Sequence, residues 1–383
     1  MTIRNYNVTP QLPSNGLTVA EFFCGGGLMA VGLKAAGYDI TFANDFDKRA
    51  AEAYAHNLGD YVICGDITSD GIQAQIPVAD IFAGGPPCQD YSVAGTGEGE
   101  EGERGKLVWT YLGIIERKQP KAFVFENVKG LITKKHRHTF DALIKKFEEI
   151  GYNVSWRLIN AWDYGVAQKR ERVFIVGVRK DIGFAFEFPE PCAEDYRTQV
   201  LRDVIGDLPE PNTGVNGHVQ TRATTVKRTE GVYNQRAYKA DWSNPAKTVC
   251  TNRLDHAEIH PGPDELFYVN RGSWGEKLVK SVYGLGDVAP TVKAQNMPFP
   301  PGYPGHKDDA KSQNGSQPRR FTVRECLRIQ SVPDTYVLPD SISLSAQYRI
   351  VGNGVASRVS YLIGVALAEQ LNAALSQSLP EAA

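Results

Sequence analysis

The sequence predicts an α/β protein with a doubly wound, mostly parallel sheet, followed by a smaller and irregular segment that contains β-strands. From Leu17 to about residue 180, short apolar runs alternate with segments of helical periodicity. This alternation is typical of a parallel sheet with helices on both faces. From 183 to about 316 the chain is instead rich in Pro, Gly, Asn, Thr and aromatic residues, with few helical periods.

The predicted strands are apolar runs of four to eight residues that are bounded by turn residues. They lie at 17–23, 39–44, 61–66, 79–84, 121–127, 153–160 and 172–179.

The predicted helices show apolar residues at intervals of three and four, and several begin or end at a typical capping residue. Gly37 and Gly151 end two of them, and Thr322 begins another. The helices are predicted at 28–37, 47–58, 107–119, 138–151, 198–208, 322–331 and 357–375.

Composition excludes several classes of protein. The chain has 383 residues, of which 42% are hydrophobic and 22% charged, as is usual for a soluble globular protein, and its net charge of −2 gives no sign of a nucleic-acid partner. Its six cysteines form no Cys-x-x-Cys pair, so neither a zinc ribbon nor thioredoxin-like chemistry is indicated. The start of the chain is polar, and no run approaches the roughly 20 apolar residues of a membrane helix. We therefore expect a soluble, cytoplasmic protein with no membrane partner.

A glycine-rich turn follows the first predicted strand, in the segment EFFCGGGL at 21–28. Glycines there let the backbone approach a ligand, and the helix that follows offers free amide groups. Asp45 and Asp66 end the next two strands, where a carboxylate can accept hydrogen bonds from a ribose. Each feature alone is weak, because such turns and strand-end carboxylates are often purely structural. The turn contains no basic residue for a pyrophosphate, so a nucleoside with a small zwitterionic tail, such as S-adenosylmethionine, fits better.

The segment ADIFAGGPPCQDYS at 79–92 is the most informative. A strand leads into Gly84-Gly85-Pro86-Pro87-Cys88, at the end of the strand where ligands of open α/β sheets bind. A cysteine on such a rigid loop is a candidate nucleophile, although its thiol needs activation at neutral pH. Cysteines are more often small buried residues, but no core strand requires two glycines and two prolines before one.

The segment GGPPCQDYS closely resembles the catalytic loop of the C5-cytosine DNA methyltransferases. Further blocks of that family appear in the same order as in its members, over roughly 17–180 and 319–370. They are FCGGGL, NDF (44–46), GDI (65–67), ENV (126–128), DYGVAQKRER (163–172), RRFTVRECLRIQSVPD (319–334) and VGNGV (351–355).

The resemblance implies S-adenosyl-L-methionine as methyl donor, S-adenosyl-L-homocysteine as product, and no metal. Phe23 and Phe46 are expected beside the adenine, Asp45 on the ribose and Asp66 near the adenine amino group. The full set of expected cofactor-binding residues is Phe23, Gly25, Gly27, Leu28, Asp45, Phe46, Asp66, Ile67, Pro87, Asn353 and Val355.

The resemblance also implies the catalytic residues. Cys88 would add to C6 of cytosine, and Glu126 would bind N3 and the 4-amino group of the base. Arg170 and Arg172, placed on one face by strand alternation, would hold O2 and the phosphate of the loop. Gln89, Ser92, Gln168 and Arg104 are expected to contact the substrate DNA.

The resemblance predicts the organisation and the partners as well. Residues 1–182 with 319–383 would form a Rossmann-like catalytic methyltransferase domain, and 183–318 a target-recognition domain. Duplex DNA is the expected substrate, a cognate restriction endonuclease a separate partner, and a monomer the expected state. The arginines at 319, 320, 324 and 328 fit a structural role as well as DNA binding.

Three other interpretations remain open. A tRNA cytosine-5 methyltransferase is disfavoured, because the RNA-acting branch usually carries a Cys-Phe-Thr element that is absent from this sequence. A catalytically inactive DNA-binding homologue is disfavoured by the intact Cys88, Glu126 and Arg172. A nicotinamide dehydrogenase accounts for the first strand-helix-strand unit but leaves the Pro-Pro-Cys-Gln loop unexplained.

Overall fold

The computed structural model describes residues 11–87, 105–209, 211–219, 236–239, 256–259, 289–290 and 321–377. The chain divides into two compact units. One, here called the sheet unit, comprises Tyr6–Asn160, Glu171–Pro191 and Ser357–Ala383; the other, the second unit, comprises Met1–Asn5, Ala161–Arg170 and Cys192–Ala356.

A seven-stranded sheet forms the centre of the sheet unit. Its strands are β1 (Thr18–Phe22), β2 (Asp39–Asp45), β3 (Val62–Cys64), β4 (Ile81–Gly84), β5 (Ala122–Val128), β6 (Tyr152–Asn160) and β8 (Glu171–Arg179). Their order is β3-β2-β1-β4-β5-β8-β6. All the pairings are parallel except those that β8 makes with β5 and β6, which are antiparallel. The predicted doubly wound, mostly parallel α/β fold is confirmed.

The helices of the sheet unit follow the predicted positions closely. They are α1 (Leu28–Ala35), α2 (Lys48–Asn57), the short α3 (Asp70–Gln73), α4 (Gly105–Lys118), α5 (Arg137–Glu149) and α9 (Ser357–Gln377). The sequence analysis did not predict α3, a single turn whose amide of Ile72 is capped by the Ser69 hydroxyl.

Aromatic residues fill the core on one face of the sheet. Phe22 on β1 lies 5.0 Å from Phe82 on β4 and 5.5 Å from Tyr111 on α4, measured between ring centroids. Phe123 on β5 packs on Phe147 of α5 at 4.3 Å. All these rings are fully buried, and such pairs add about 0.5–1.5 kcal/mol each beyond the burial of their area. The core thus fixes β1, β4 and β5, the strands that carry the candidate site.

Helix α1 packs against the C-terminal helix α9. The closest approach is at Gly32, where an added Cβ would lie 2.2 Å from the Ser357 carbonyl and 2.2 Å from the Ser360 hydroxyl. The Ser357 hydroxyl also donates to the carbonyl of Leu28, and the Tyr38 hydroxyl to that of Gly364. The glycine at 32 is therefore needed because two helix backbones meet there.

The described part of the second unit contains α6 (Leu201–Ile205), α7 (Val323–Ile329) and α8 (Leu344–Asn353), with the two-residue strands β7 (Gln168–Lys169) and β11 (Ala289–Pro290) paired in parallel. The strands β9 (Arg236–Lys239) and β10 (His256–Ile259) also pair in parallel. Helix α6 is shorter than the predicted 198–208, since the chain leaves the helix at Gly206 and Pro209 follows. Helix α8 was not predicted.

Arg324 and Arg328, on α7, are structural in this unit. Arg324 is 1% exposed and donates to the carbonyls of Asn216 and Tyr336 at 3.0 and 2.7 Å. Arg328 forms a two-pronged ion pair with Asp334 and a single one with Asp207. The two arginines fasten the chain that precedes residue 220 to the chain that follows 320. Arg319 and Arg320 lie outside the described residues.

Among the described residues, one helical stretch, Leu344–Gln377, is apolar and long enough to cross a membrane by length and composition. The stretch comprises α8 and the longer α9, with a break at residues 354–356. The best window of the stretch is 67% buried inside the protein, which is equally typical of core helices, so the finding is weak evidence for a membrane span.

We expect Gly32→Ala to destabilise the protein by about 2–3 kcal/mol, because the new methyl group meets backbone atoms that cannot move independently. Gly113→Ala in α4 is the matched control: there the nearest atom to an added Cβ is the mobile Arg117 guanidinium at 3.2 Å. That change should be neutral or stabilise by up to about 1 kcal/mol. Urea unfolding of both variants checks the prediction, which fails if they lose equal stability.

Candidate active site

The order of the strands reverses between β1 and β4, since β2 and β3 lie on one side and β5 on the other. Open α/β sheets bind ligands at the carboxyl ends of the strands at such a switch point. Phe22 at the end of β1 is in register with Gly84 at the end of β4. The glycine-rich turn and the Gly-Pro-Pro segment therefore leave the sheet side by side.

The glycine-rich turn is held open by a carboxylate. The amide of Gly25 donates to Asp45 Oδ2 at 2.7 Å, and the amide of Asp47 donates to Asp45 Oδ1 at 2.8 Å. Gly25 and Gly27 have φ angles of 54° and 82°, which favour glycine. Phe23 also has a left-handed φ, 52°, a costly conformation for a bulky residue that often marks a functional position.

The residues expected to bind the cofactor differ in exposure. Phe46 is 79% exposed, so its aromatic ring is accessible for stacking. Asp66 is exposed and accepts hydrogen bonds from the amide and hydroxyl of Thr68. Leu28 and Ile67, by contrast, are buried at 1% and 3% exposure, and Ile67 belongs to the aromatic core. These two side chains are therefore part of the protein interior.

Asn44, next to Asp45, was not among the residues predicted for the site. It is 1% exposed and donates from Nδ2 to the carbonyls of Ile63 and Gly65, at 2.9 and 3.1 Å. These bonds tie the end of β2 to the end of β3, and so fix the separation of Asp45 and Asp66. The only signal in the sequence is an asparagine at the end of a predicted strand, which resembles many ordinary turn residues.

Glu21, next to the turn, is a buried carboxyl group. It is 1% exposed, and its Oε2 atom has no hydrogen-bond partner within the part of the chain that the structure describes. Burial raises the pKa of Glu21 from 4.5 to about 8, and the negative charge of Asp45 acts in the same direction. The Tyr54 hydroxyl and the backbone at Ala30 oppose this shift. Burial likewise raises the pKa of Asp45.

The pKa of Glu21 predicts a pH-dependent stability. The folded state keeps the proton up to about pH 8, whereas the unfolded chain releases it near 4.5. The contribution is therefore fully present below pH 4.5 and is lost as pH rises towards 8, by about 1.4 kcal/mol per pH unit. Glu21→Gln should remove this loss and be more stable than the wild type at pH 8.

Urea unfolding at pH 6 and pH 8 measures the effect. Glu116→Gln, which makes the same chemical change at an exposed position of α4, is the control. If the free energy of unfolding of Glu21→Gln falls with pH as steeply as that of the wild type, Glu21 is not the group responsible.

The segment that leads to Cys88 is anchored at the end of β5. Asn127, 3% exposed, donates from Nδ2 to the carbonyl of Pro86 at 3.2 Å. A Cβ added to Gly85 would lie 2.9 Å from Glu126 Oε2, so only glycine lets the carboxylate approach this backbone. Glu126 thus packs directly against the chain three residues before Cys88.

Arg172 forms an ion pair with Glu126, with 2.9 Å between Arg172 Nε and Glu126 Oε1. Burial lowers the pKa of Arg172, and Glu126 opposes that shift by charge and hydrogen bonding. Glu126 is in register with Phe174, two residues from Arg172 on the antiparallel strand β8, so the pair lies diagonally across two strands.

Arg170 differs from Arg172. It lies between β7 and β8, outside either strand, so the alternation that was expected to place both arginines on one face does not reach it. It is 2% exposed and donates from Nη2 to the carbonyls of Gly352 and Gly354, at 3.2 and 2.7 Å.

Three other predicted residues belong to the second unit: Asn353 and Val355 lie at the end of α8, and Gln168 lies in β7. Asn353 is exposed and Val355 is 7% exposed. Gln168 is fully buried, and neither its amide nitrogen nor its amide oxygen has a partner among the described residues.

Four predicted residues, Cys88, Gln89, Ser92 and Arg104, lie outside the described residues. Within the described ranges, no three His, Cys, Asp or Glu side chains come together as metal ligands would. The expectation of a metal-free enzyme stays a prediction.

The exposed ring of Phe46 follows Asp45, which binds the glycine turn at the switch point, and the Glu126–Arg172 pair lies at the end of β5. This arrangement is typical of α/β enzymes that bind a ligand at the carboxyl ends of their strands. The chain belongs to the family of C-5 cytosine-specific DNA methylases, whose model matches residues 17–369. The type II methyltransferase M.FnuDI of Fusobacterium nucleatum is 33% identical over 365 residues, covering 93% of this chain and 95% of its own. M.MthTI of Methanothermobacter thermautotrophicus is 32% identical, covering 94% and 99%.

Solved structures share the fold at lower identity. A putative DNA modification methyltransferase encoded within a prophage of E. coli superposes with a TM-score of 0.59 at 19% identity, over 93% of this chain and 100% of its own. The Dnmt2 methyltransferase of S. pombe gives a TM-score of 0.56 at 19% identity, over 92% and 98%. These matches confirm the Rossmann-like methyltransferase fold.

Proposed function

We propose that this protein transfers a methyl group from S-adenosyl-L-methionine to C5 of a flipped cytosine in a specific duplex DNA sequence. The observation that carries the proposal is the Glu126–Arg172 pair, packed against Gly85 and three residues from Cys88 along the loop. Cys88, after β4, would then attack the cytosine, while Glu126, near the end of β5, would bind the N3 and 4-amino edge of the same base. Family membership supports the same reaction.

The chemistry begins with the thiolate of Cys88, which forms a bond to C6 of the cytosine. The electron pair of the C5–C6 double bond moves towards C5 and N3, which makes C5 nucleophilic. S-adenosyl-L-methionine, when bound, supplies a sulfonium methyl group to that carbon. Transfer of the C5 proton to water then expels the Cys88 thiolate and restores the aromatic ring.

Glu126 is proposed to hold the pyrimidine edge. It accepts a hydrogen bond from the 4-amino group, and a proton taken up from solvent and shared between its carboxyl group and N3 offsets the electron density that the ring gains. Arg172 holds Glu126 in place through their ion pair, and its other donors would serve O2 of the base. Removing one partner of such a buried pair leaves an uncompensated charge, which is costly.

The cofactor site proposed from the family fits the residues present. Phe46 offers an exposed ring for the adenine, Asp45 and Asp66 lie at adjacent strand ends, and the glycine turn leaves room for a backbone-bound tail. Pro87, Asn353 and Val355 complete the proposed set, and the product would be S-adenosyl-L-homocysteine.

Recognition of the sequence is proposed to come from the chain between Val219 and Phe321. The backbone amide of Arg324 donates to the carbonyl of Gly217 at 2.9 Å, and the imidazole of His218 hydrogen-bonds the Thr322 hydroxyl at 2.8 Å. Since the ends of this stretch are fastened together, we propose the recognition segment there; it begins later than the 183–318 expected from the sequence and ends at nearly the same residue. The base must leave the helix to reach Cys88, at a cost of a few kcal/mol.

We further propose that the enzyme acts as a monomer in the cytoplasm and protects host DNA from a separate cognate restriction endonuclease. Gln89, Ser92, Gln168 and Arg104 are its proposed DNA contacts.

Replacement of Cys88 by Ala should abolish transfer of tritiated methyl groups to duplex DNA, because no other group can attack C6. The rate should fall by at least about 10³-fold while S-adenosyl-L-homocysteine still binds. Cys192→Ala, at an exposed position in the second unit, is the matched control and should keep full activity. If the wild-type enzyme labels tRNA but not DNA, the substrate is RNA and the proposed DNA substrate is wrong. Undiminished DNA methylation by Cys88→Ala would refute the assignment.

A further inference from the structure

Two buried side chains hold the turn formed by residues 351–354. Arg170 donates to the carbonyls of Gly352 and Gly354, and Gln330 donates from Nε2 to the carbonyl of Val351 at 2.5 Å. Arg170 is 2% exposed and Gln330 0%. Three of the four carbonyls of this turn are thus bound by groups from elsewhere in the second unit.

The remaining residue of the turn, Asn353, is exposed. The amide of Gly354 donates back to the carbonyls of Ile350 and Val351, which ends helix α8 at this point. A turn fixed at its backbone on both sides of one exposed side chain has little freedom left, so Asn353 is presented in a fixed position. Holding a ligand-binding group in place beforehand lowers the entropy lost on binding.

We infer that Arg170, together with Gln330, positions the Asn353 turn for the methyl donor, and that Arg172 alone of the two arginines serves the pyrimidine. The inference rests on the proposed function, in which Asn353 and Val355 bind the cofactor. Arg170 was expected to contact the substrate; here it is instead a positioning residue, which acts through the turn. The two arginines, two residues apart, would act on different ligands.

The guanidinium group suits this role better than an ammonium group would. It is planar and always charged, and one of its nitrogens reaches two carbonyls that belong to residues on either side of Asn353. A lysine at 170 would keep the charge, but its side chain is one atom shorter and more flexible, so its ammonium group would not reach the position of Nη2 and both bonds to the turn would weaken. Arg170→Lys therefore tests geometry at constant charge.

Steady-state kinetics with duplex DNA separate the two roles of Arg170. Arg170→Lys should raise the KM for S-adenosyl-L-methionine about tenfold and leave kcat and the KM for DNA within about twofold, since a loosened turn weakens cofactor binding in ground and transition states alike. Arg202→Lys, at an exposed position of α6, is the matched control and should change none of these values. A fall in kcat or a rise in the KM for DNA, with the cofactor KM unchanged, would overturn the inference.

Calorimetric binding of S-adenosyl-L-homocysteine provides the second readout. Gln330→Met removes the other bond to the turn without changing charge, and its affinity for this ligand should fall in the same direction as that of Arg170→Lys. If Arg170→Lys does not fold, Gln330→Met decides alone, and wild-type affinity in it contradicts the inference. If the wild-type protein binds S-adenosyl-L-homocysteine but methylates no DNA, the proposed function is refuted. The comparison of binding affinities among the variants still tests the role of Arg170.

Discussion

The parallel pairing of β1 with β4, with Phe22 opposite Gly84, is the constraint on which the proposed active site depends. Because parallel strands end at the same edge of a sheet, this register starts the glycine turn and the Gly-Pro-Pro segment next to each other. Contacts of Phe22 with Phe82 and Tyr111, in the aromatic core, stabilise the pairing of β1 with β4. The bonds from Asp45 to Gly25 and from Asn127 to Pro86 then hold the start of each loop at the end of its strand.

A second constraint is the direction of β8. It runs against β5, so it begins at the edge where β4 and β5 end, and Arg172 near its start reaches Glu126 near the end of β5. A parallel β8 would carry Arg172 to the opposite edge of the sheet and leave Glu126 without its partner. The single reversed strand of the sheet thus supplies the positive charge of the site. Asn127 and Gly85 complete the arrangement by bringing the backbone before Cys88 against the same carboxylate.

Features that depend on neighbouring residues were predictable from the sequence, and those that depend on distant residues were not. The strand ends, the glycine turn and the Pro-Pro loop follow from local composition, and they lie where expected. The direction of β8 could not be predicted, because an apolar run has the same periodicity in either direction. Arg170 was expected to act with Arg172, yet its partners Gly352 and Gly354 lie more than 180 residues away. The burial of Glu21 and the bonds of Asn44 depend in the same way on strands that only the fold brings together.

The central claim is that Cys88 forms a transient bond to C6 of a cytosine held by Glu126. Duplex DNA that carries 5-fluorocytosine at the target site tests it most directly, since fluorine at C5 cannot leave as a proton does and the adduct is trapped. With S-adenosyl-L-methionine present, mass spectrometry should find a covalent protein–DNA complex whose cross-linked peptide contains Cys88. The absence of any adduct on DNA that the enzyme methylates in its unfluorinated form, or an adduct on another residue, would contradict the account.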